Sequence, residues 1–288
     1  MAYQLQADVR TVLTETNPVV RSGIQAALFS KGIREVVSCK DAQTLLDALK
    51  SEIVDLLLVD VDLPGVDICQ LVQQVRQNNL GRNPFVLIIA TVSDTSLGHI
   101  RKVINSGVDR VLRKPMPMSM VLEQVAQLSD ARRPFVATDA YVGPSRRSNP
   151  RVDDSDDNLM QAPNTMRSKL ADKVSEMQVE RMIRNGVVRV GEMKVRSTPL
   201  AISRAIRRVL AFYEGQGTVE RVRTDLDRMV ALSQDLVSRY RGTSFDHLAE
   251  LAASLVSLVM RISADPVAPN KVHLNLLAKL GEVLRQAA

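Results

Sequence analysis

The sequence contains no tryptophan, and aromatic residues make up only 3% of its 288 residues. Its cores must therefore consist of Leu, Val, Ile, Ala and Met, which suits parallel sheets and helix bundles better than β-sandwiches. The only two cysteines, Cys39 and Cys69, have neither metal-ligand nor redox-pair spacing. No stretch approaches the ~18 apolar residues of a membrane span, and no signal-peptide pattern is present. We therefore expect a soluble, cytoplasmic protein.

The net charge of +6 is basic, which favours nucleic acid or an acidic partner. The arginines, however, are spread along amphipathic segments, and no helix-turn-helix pair with a basic recognition helix is evident. The best basic cluster comprises Arg204, Arg207, Arg208, Arg221 and Arg223. This is thin evidence, so nucleic acid is the least favoured partner.

Short apolar runs alternate with helical patterns through the first part of the chain. The predicted strands are Val9–Thr14, Glu35–Cys39, Val54–Val59, Phe85–Ala90 and Arg110–Leu112. A helical pattern follows each of them, and this repeated β-α order predicts an α/β doubly wound parallel five-stranded sheet over residues 8–130. Ligands and chemistry in such sheets lie at the carboxyl ends of the strands.

Residues 131–165 are rich in Pro, Ser, Arg and Asp, which predicts a partly disordered linker. The apolar side chains of Phe135, Val136, Tyr141 and Val142 are candidates to pin it against a folded surface. Residues 166–288 carry apolar positions three and four apart, which predicts an all-α helical bundle. Within this region, alternation around Gly191 predicts a small hairpin over Val187–Val195, and the next helix is expected to start at Pro199.

Charged and hydroxyl side chains follow four of the predicted strands. Glu15 follows the first strand, Asp60 the third, Thr91 the fourth and Lys114 the fifth. Because parallel strands end at one edge of the sheet, these side chains are expected to converge. An exposed carboxylate there can act as a nucleophile toward a phosphoryl group, and a cation can offset the charge on the transferred oxygens.

This ordered set resembles the response-regulator receiver family of the chemotaxis-regulator type. The family has an acidic phosphoryl acceptor with Pro four residues later, and here that reads Asp60-Val61-Asp62-Leu63-Pro64. Its Ser or Thr after the fourth strand matches Thr91, and its Lys-Pro after the fifth matches Lys114-Pro115. The resemblance spans roughly 120 of the 288 residues. It implies a flavodoxin-like fold, a phosphoryl acceptor at Asp60, and Thr91 and Lys114 in supporting catalytic roles.

The resemblance also implies a Mg²⁺ site, which departs here from the family pattern. Two acidic residues usually follow the first strand, whereas this chain has Glu15 and Thr16. One metal carboxylate is thus kept as a longer Glu and the other is lost. The expected metal ligands are Glu15, Asp60 and Asp62, whose side chain can partly replace the missing acid.

Three functions remain open. The first is a non-enzymatic two-component response regulator, phosphorylated by a histidine kinase or histidine phosphotransfer protein, whose helical region (166–288) binds a protein partner. The second is a phosphorylation-independent pseudo-receiver scaffold, which Thr16 favours and which Asp60, Thr91 and Lys114 disfavour. The third is a DNA-binding regulator. The apolar stripes of the C-terminal helices indicate either a bundle core or a homodimer seam.

Overall fold

The computed structural model describes residues 9–138, 140–146, 159–242 and 246–286. The chain divides into two compact units, and the division falls between Val190 and Gly191. In the first unit, five parallel strands form one sheet in the order β2-β1-β3-β4-β5. The strands are β1 (Arg10–Thr14), β2 (Glu35–Cys39), β3 (Leu56–Asp60), β4 (Leu87–Val92) and β5 (Arg110–Arg113). The predicted doubly wound sheet is therefore confirmed.

Five helices connect the strands and cover both faces of the sheet. They are α1 (Pro18–Ser30), α2 (Ala42–Ser51), α3 (Ile68–Arg76), α4 (Leu97–Asn105) and α5 (Met118–Asp130). Every residue of β3 is buried, because Leu57 and Val59 face one core and Leu56 and Leu58 face the other. This two-sided burial explains why the strand is a continuous apolar run.

Side-chain caps fix where three of these helices begin. The side-chain oxygens of Asn17, Asp41 and Asp67 accept backbone N–H groups at the starts of α1, α2 and α3. The caps of α1 and α3 stand shortly after β1 and β3, so they fix the chain's path directly beyond the carboxyl edge of the sheet.

Residues after 130 continue the first unit. Strands β6 (Phe135–Ala137) and β7 (Val142–Pro144) form an antiparallel pair, and Phe135 and Val142 are buried. Part of the predicted linker is thus ordered. Of the four apolar side chains expected to hold it against a folded surface, Phe135 and Val142 are buried. Residues 147–158 lie outside the described residues. Helix α6 (Thr165–Leu170) comes next in the described chain.

The predicted hairpin over Val187–Val195 is wrong, because these residues lie inside one long helix, α7 (Glu176–Tyr213). Buried positions Val179, Ile183, Gly186 and Met193 recur at three, four and seven residues, which is helical spacing. The alternating apolar residues are not buried together on one face, as they would be in a strand, since Val188 is 62% exposed. Pro199 also lies inside this helix rather than at the start of one.

The second unit is helical, as predicted for the C-terminal region. After α7 come α8 (Val219–Tyr240), α9 (Asp246–Ala264) and α10 (Lys271–Gln286), and all share one apolar core with the end of α7. Helix α9 is long and apolar enough to cross a membrane by length and composition, contrary to the expectation from the sequence. The core helix of a soluble protein meets the same criterion, and α9 contributes Leu255, Val259 and Ile262 to this core.

Candidate functional site

The last residue of β3, Asp60, lies at the carboxyl edge of the sheet and is only 1% exposed. Its backbone N–H donates to Thr14 Oγ1 at the end of β1, at 2.9 Å. The neighbouring strand places Thr91 directly beside it in register. The two central strands therefore deliver a carboxylate and a hydroxyl to the same edge, as the order of strand ends predicted.

Three donors hold the Asp60 carboxylate. The Lys114 ammonium lies 2.7 Å from Oδ2, and the Thr16 hydroxyl donates to the same oxygen at 3.3 Å. The backbone N–H of Asp62 donates to Oδ1 at 3.2 Å. Both carboxylate oxygens of Asp60 therefore have a partner, and one of these partners is an ammonium.

Lys114 also contacts Glu15, whose Oε2 lies 2.9 Å from the ammonium. Burial by itself would lower the pKa of Lys114, but hydrogen bonds and charge from Asp60 and Glu15 outweigh it and raise the pKa above its usual value. Lys114 thus stays protonated at neutral pH. The Lys114 ammonium is thus shared between two carboxyl groups.

The Thr91 hydroxyl is buried and has no hydrogen-bond partner among the described residues. An unsatisfied buried hydroxyl costs about 1–3 kcal/mol, so its presence needs an explanation. Its position beside Asp60 supplies one, since an oxygen added to the carboxylate can accept the unused O–H.

The structure gathers Glu15, Asp60, Thr91 and Lys114 at one edge, but it leaves the Asp62 side chain exposed. No three His, Cys, Asp or Glu residues within the described ranges group as a metal site. Glu15 and Asp60 nevertheless converge on a single cation, the Lys114 ammonium. Because Mg²⁺ needs only one or two protein carboxylates besides water, these two residues fit such an ion. The backbone group of Asp62 that contacts Asp60 is an N–H donor, which cannot ligate a cation.

Supporting residues at this edge escaped prediction. The backbone N–H of Asn17 donates to Glu15 Oε1 at 2.9 Å, and the Arg21 guanidinium donates to the Glu15 carbonyl at 2.7 Å. Thr14 holds the backbone of Asp60. Sequence patterns do not show backbone partners, and the only available signal was the position of Thr14 and Asn17 beside the end of β1.

Comparisons with known proteins find relatives for part of this chain. Residues 12–126 match the family model of the response regulator receiver domain. The sensor protein GacS of Pseudomonas syringae pv. syringae is 27% identical over 143 residues, which are 47% of this chain and 16% of that protein. The transcriptional activator protein ExaE of Pseudomonas putida is 27% identical over 122 residues, which are 41% of this chain and 53% of that protein. The chain therefore spans under a fifth of the former and about half of the latter.

Solved structures resemble the same part of the chain. A CheY-like receiver domain protein from Methanospirillum hungatei is 21% identical with a TM-score of 0.38, covering 41% of this chain and 91% of its own. The chemotaxis response regulator CheY4 of Vibrio cholerae is 21% identical with a TM-score of 0.37, covering 42% and 98%.

Proposed function

Because residues 12–126 are a response regulator receiver domain, we propose that this protein is a two-component response regulator that accepts a phosphoryl group on Asp60. The observation that carries the proposal is the pairing of Asp60 with Lys114, beside the buried Thr91 hydroxyl that has no partner among the described residues. A nucleophile, a cation and an unused donor are the groups that a transferred phosphoryl group requires.

In the proposed transfer, a carboxylate oxygen of Asp60 attacks the phosphorus of a phosphohistidine on a histidine kinase or phosphotransfer protein. The P–N bond breaks, its electron pair stays on the imidazole nitrogen, which takes a proton from solvent, and an acyl phosphate forms on Asp60. Lys114 then moves its charge toward the new phosphoryl oxygens, and the Thr91 hydroxyl donates to one of them. The chain supplies a nucleophile and electrostatic support, so we propose a signalling protein rather than an enzyme.

Glu15 and Asp60 would hold Mg²⁺ together with water. When bound, the ion supplies positive charge against the transferred oxygens. We further propose that the helical region contacts a protein partner and that the protein is cytoplasmic. A homodimer through the C-terminal helices is supported by the exposed apolar residues Val272, Leu276 and Val283 of α10.

The second candidate is a pseudo-receiver scaffold that binds its partner without phosphorylation. It is favoured by Thr16, which stands where a second metal carboxylate was expected and instead donates its hydroxyl to Asp60. A DNA-binding role is supported only by the dispersed arginines and ranks last.

Intact-mass measurement after incubation with Mg²⁺ and acetyl phosphate tests the first candidate. We expect the full chain to gain the mass of one phosphoryl group and Asp60→Asn to gain none. Asp62→Asn is the matched control, because it removes an exposed carboxylate two residues away and should be labelled like the unmodified chain. No gain in the unmodified chain, with partner binding unaffected by Asp60→Asn, would instead support the scaffold.

A further inference from the structure

A buried ionic cluster ties the sheet to the residues beyond α5. The side chain of Arg76 at the end of α3 is 1% exposed and donates to Asp109 Oδ2 at 2.8 Å. The side chain of Arg132, which is 4% exposed, donates to Asp109 Oδ1 at 2.8 Å and to the Phe85 and Val86 carbonyls. Because all three side chains are withdrawn from water, losing Asp109 would leave two buried guanidiniums without their carboxylate partner.

Charge compensation keeps the cluster ionised. Burial lowers the pKa of Arg76 to about 10, against the opposing effect of Asp109, so its guanidinium is still charged at neutral pH. Burial by itself would raise the pKa of Asp109, but Arg132 and Arg76 outweigh it and lower the pKa. The β6–β7 pair covers this cluster, since the Phe135 ring lies beneath both guanidiniums, 4.3 Å from Arg132 and 5.1 Å from Arg76.

The stretch Tyr141–Arg146 contacts the turn between α4 and β5. Gly143 packs against Gly107 so closely that a Cβ on Gly143 would lie 3.0 Å from the Gly107 Cα. The Arg146 guanidinium donates to the Ile104 carbonyl in the last turn of α4, at 2.9 Å, and to the Val108 carbonyl in the α4–β5 turn. The Tyr141 hydroxyl donates to the Pro144 carbonyl and so holds the stretch in shape. We call residues 132–138 and 140–146 the clasp.

Helix α4 is weakly anchored except at the end that the clasp holds. Val103 is its only buried residue, whereas α3 buries six, and Leu97 at its start is 76% exposed. Ser96, the capping residue, makes no side-chain hydrogen bond to the first turn. A helix with few buried contacts opens or shifts at low cost. Because the loop before α4 comes directly after β4 and Thr91, this helix is well placed to respond to a change at Asp60.

We propose that the clasp holds the α4–β5 turn, and that Arg146 is the positioning residue through which a shift of α4 reaches the chain beyond the receiver domain. The shift of α4 would be caused by the proposed phosphorylation of Asp60, so this inference rests on the proposed function. The clasp gives the Tyr141–Arg146 stretch a physical role, because its glycine, its tyrosine and its arginine each make a specific contact on or beside the turn.

Hydrogen-exchange mass spectrometry of the full chain tests the proposal. Beryllium fluoride with Mg²⁺ serves as the phosphoryl mimic. We expect altered exchange near Asp60, in residues 97–109 and in the β6–β7 pair, with no alteration in Asp60→Asn. A response near Asp60 that does not reach β6 and β7 would overturn the clasp proposal while leaving the proposed function standing. The absence of any response, near Asp60 included, would overturn both.

The variant Arg146→Ala separates the role of the clasp in transmitting the response from its contribution to stability. Without the mimic, we expect amides in the last turn of α4 to exchange on the order of tenfold faster, because hydrogen bonds from a charged donor are lost. With the mimic, the response near Asp60 should persist and the response of β6 and β7 should disappear. Arg133→Ala is the matched control, since it removes the same charge from an exposed side chain whose hydrogen bond among the described residues stays within the clasp. A β6–β7 response retained in Arg146→Ala would contradict the proposal.

Discussion

At the scale of single residues, the charges beside Asp60 should determine how strongly this site binds a divalent cation. Glu15 and Asp60 share the Lys114 ammonium, and Thr16 contributes a neutral hydroxyl. A cation that enters has to compete with Lys114 for both carboxylates. The pocket should therefore bind Mg²⁺ more weakly than one with a third carboxylate in place of Thr16.

The substitution Thr16→Asp should tighten Mg²⁺ binding by about tenfold, since it adds a carboxylate beside Asp60 and removes a donor to it. Titration calorimetry with Mg²⁺ measures the affinity. Thr16→Asn is the matched control, because asparagine has nearly the same shape as aspartate but no charge. It should leave the Mg²⁺ affinity unchanged. Equal affinities for the two variants would show that charge at this position does not govern the metal.

The strand-end residues of the site were predictable, and their environment was not. Asp60, Thr91 and Lys114 could be placed together because parallel strands end at one edge. The contact between Glu15 and Lys114 depends on the length and direction of two side chains. The turn after β3 brings the backbone N–H of Asp62 to Asp60 and leaves the Asp62 side chain exposed. A linear pattern contains neither piece of information.

At the scale of elements, α7 shows why local alternation misled the prediction. Valines at alternate positions also suit a strand, but helix α7 buries positions three and four apart, including the glycine at 186. A Cβ on Gly186 would lie 2.7 Å from Phe85 Cε2 and 2.9 Å from Pro163 Cγ. This glycine is present because the helix approaches a ring closely, and a strand pattern cannot reveal that.

Gly186→Ala should destabilise the protein, because neither the aromatic ring nor the proline can yield easily. The expected loss is about 1–3 kcal/mol, typical of overpacking. Gly191→Ala, five residues on in the same helix, meets nothing within 4 Å and should stabilise by up to ~1 kcal/mol through helix propensity. Urea unfolding of both variants measures the difference. A stabilising Gly186→Ala would show that α7 does not pack on Phe85.

Pro199 interrupts the hydrogen bonds of α7, because it has no N–H to offer the Val195 carbonyl four residues earlier. The Tyr240 hydroxyl at the end of α8 donates to that carbonyl at 3.0 Å. The end of α8 thus repairs the break, which explains how a proline persists in the middle of a long helix.

A double-mutant cycle tests this repair. Tyr240→Phe should cost about 1 kcal/mol, because it removes the hydroxyl donor from the part-buried Val195 carbonyl. In a Pro199→Ala background the restored N–H can bond the carbonyl, so the same substitution should cost measurably less. The free energy of unfolding of the four proteins gives the coupling. If the free-energy effects of Tyr240→Phe and Pro199→Ala were strictly additive, the Tyr240 hydroxyl would not be replacing the N–H that Pro199 lacks.

At the scale of the whole molecule, contacts across residue 130 bind the receiver sheet to the segment between α5 and α7. Arg132 completes the Asp109 cluster, and Lys169 of α6 contacts Asp55, which is fully buried, at 2.8 Å. The boundary predicted at residue 130 stays a prediction, but these contacts lead us to expect a larger folding unit. The strand pattern could not indicate this extension, since β6 and β7 are only three residues long each.

A fragment that ends at Asp130 should therefore be less stable than one that ends at Val190. Removing Arg132 and Lys169 leaves Asp109 and Asp55 with fewer partners, and breaking a buried ion pair costs about 3–5 kcal/mol. Urea unfolding of the two fragments compares their midpoints. Equal midpoints would show that the clasp and α6 add nothing to the stability of the sheet.

Chemical mapping of the phosphorylated residue tests the central claim most directly. The full chain is treated with acetyl phosphate and Mg²⁺, reduced with borohydride and digested for peptide mass analysis, because reduction converts an aspartyl phosphate to homoserine. The pairing of Asp60 with Lys114 and Thr91 predicts conversion at Asp60 and at no other carboxylate. Conversion at another residue, or none while a receiver known to accept acetyl phosphate reacts alongside, would contradict it.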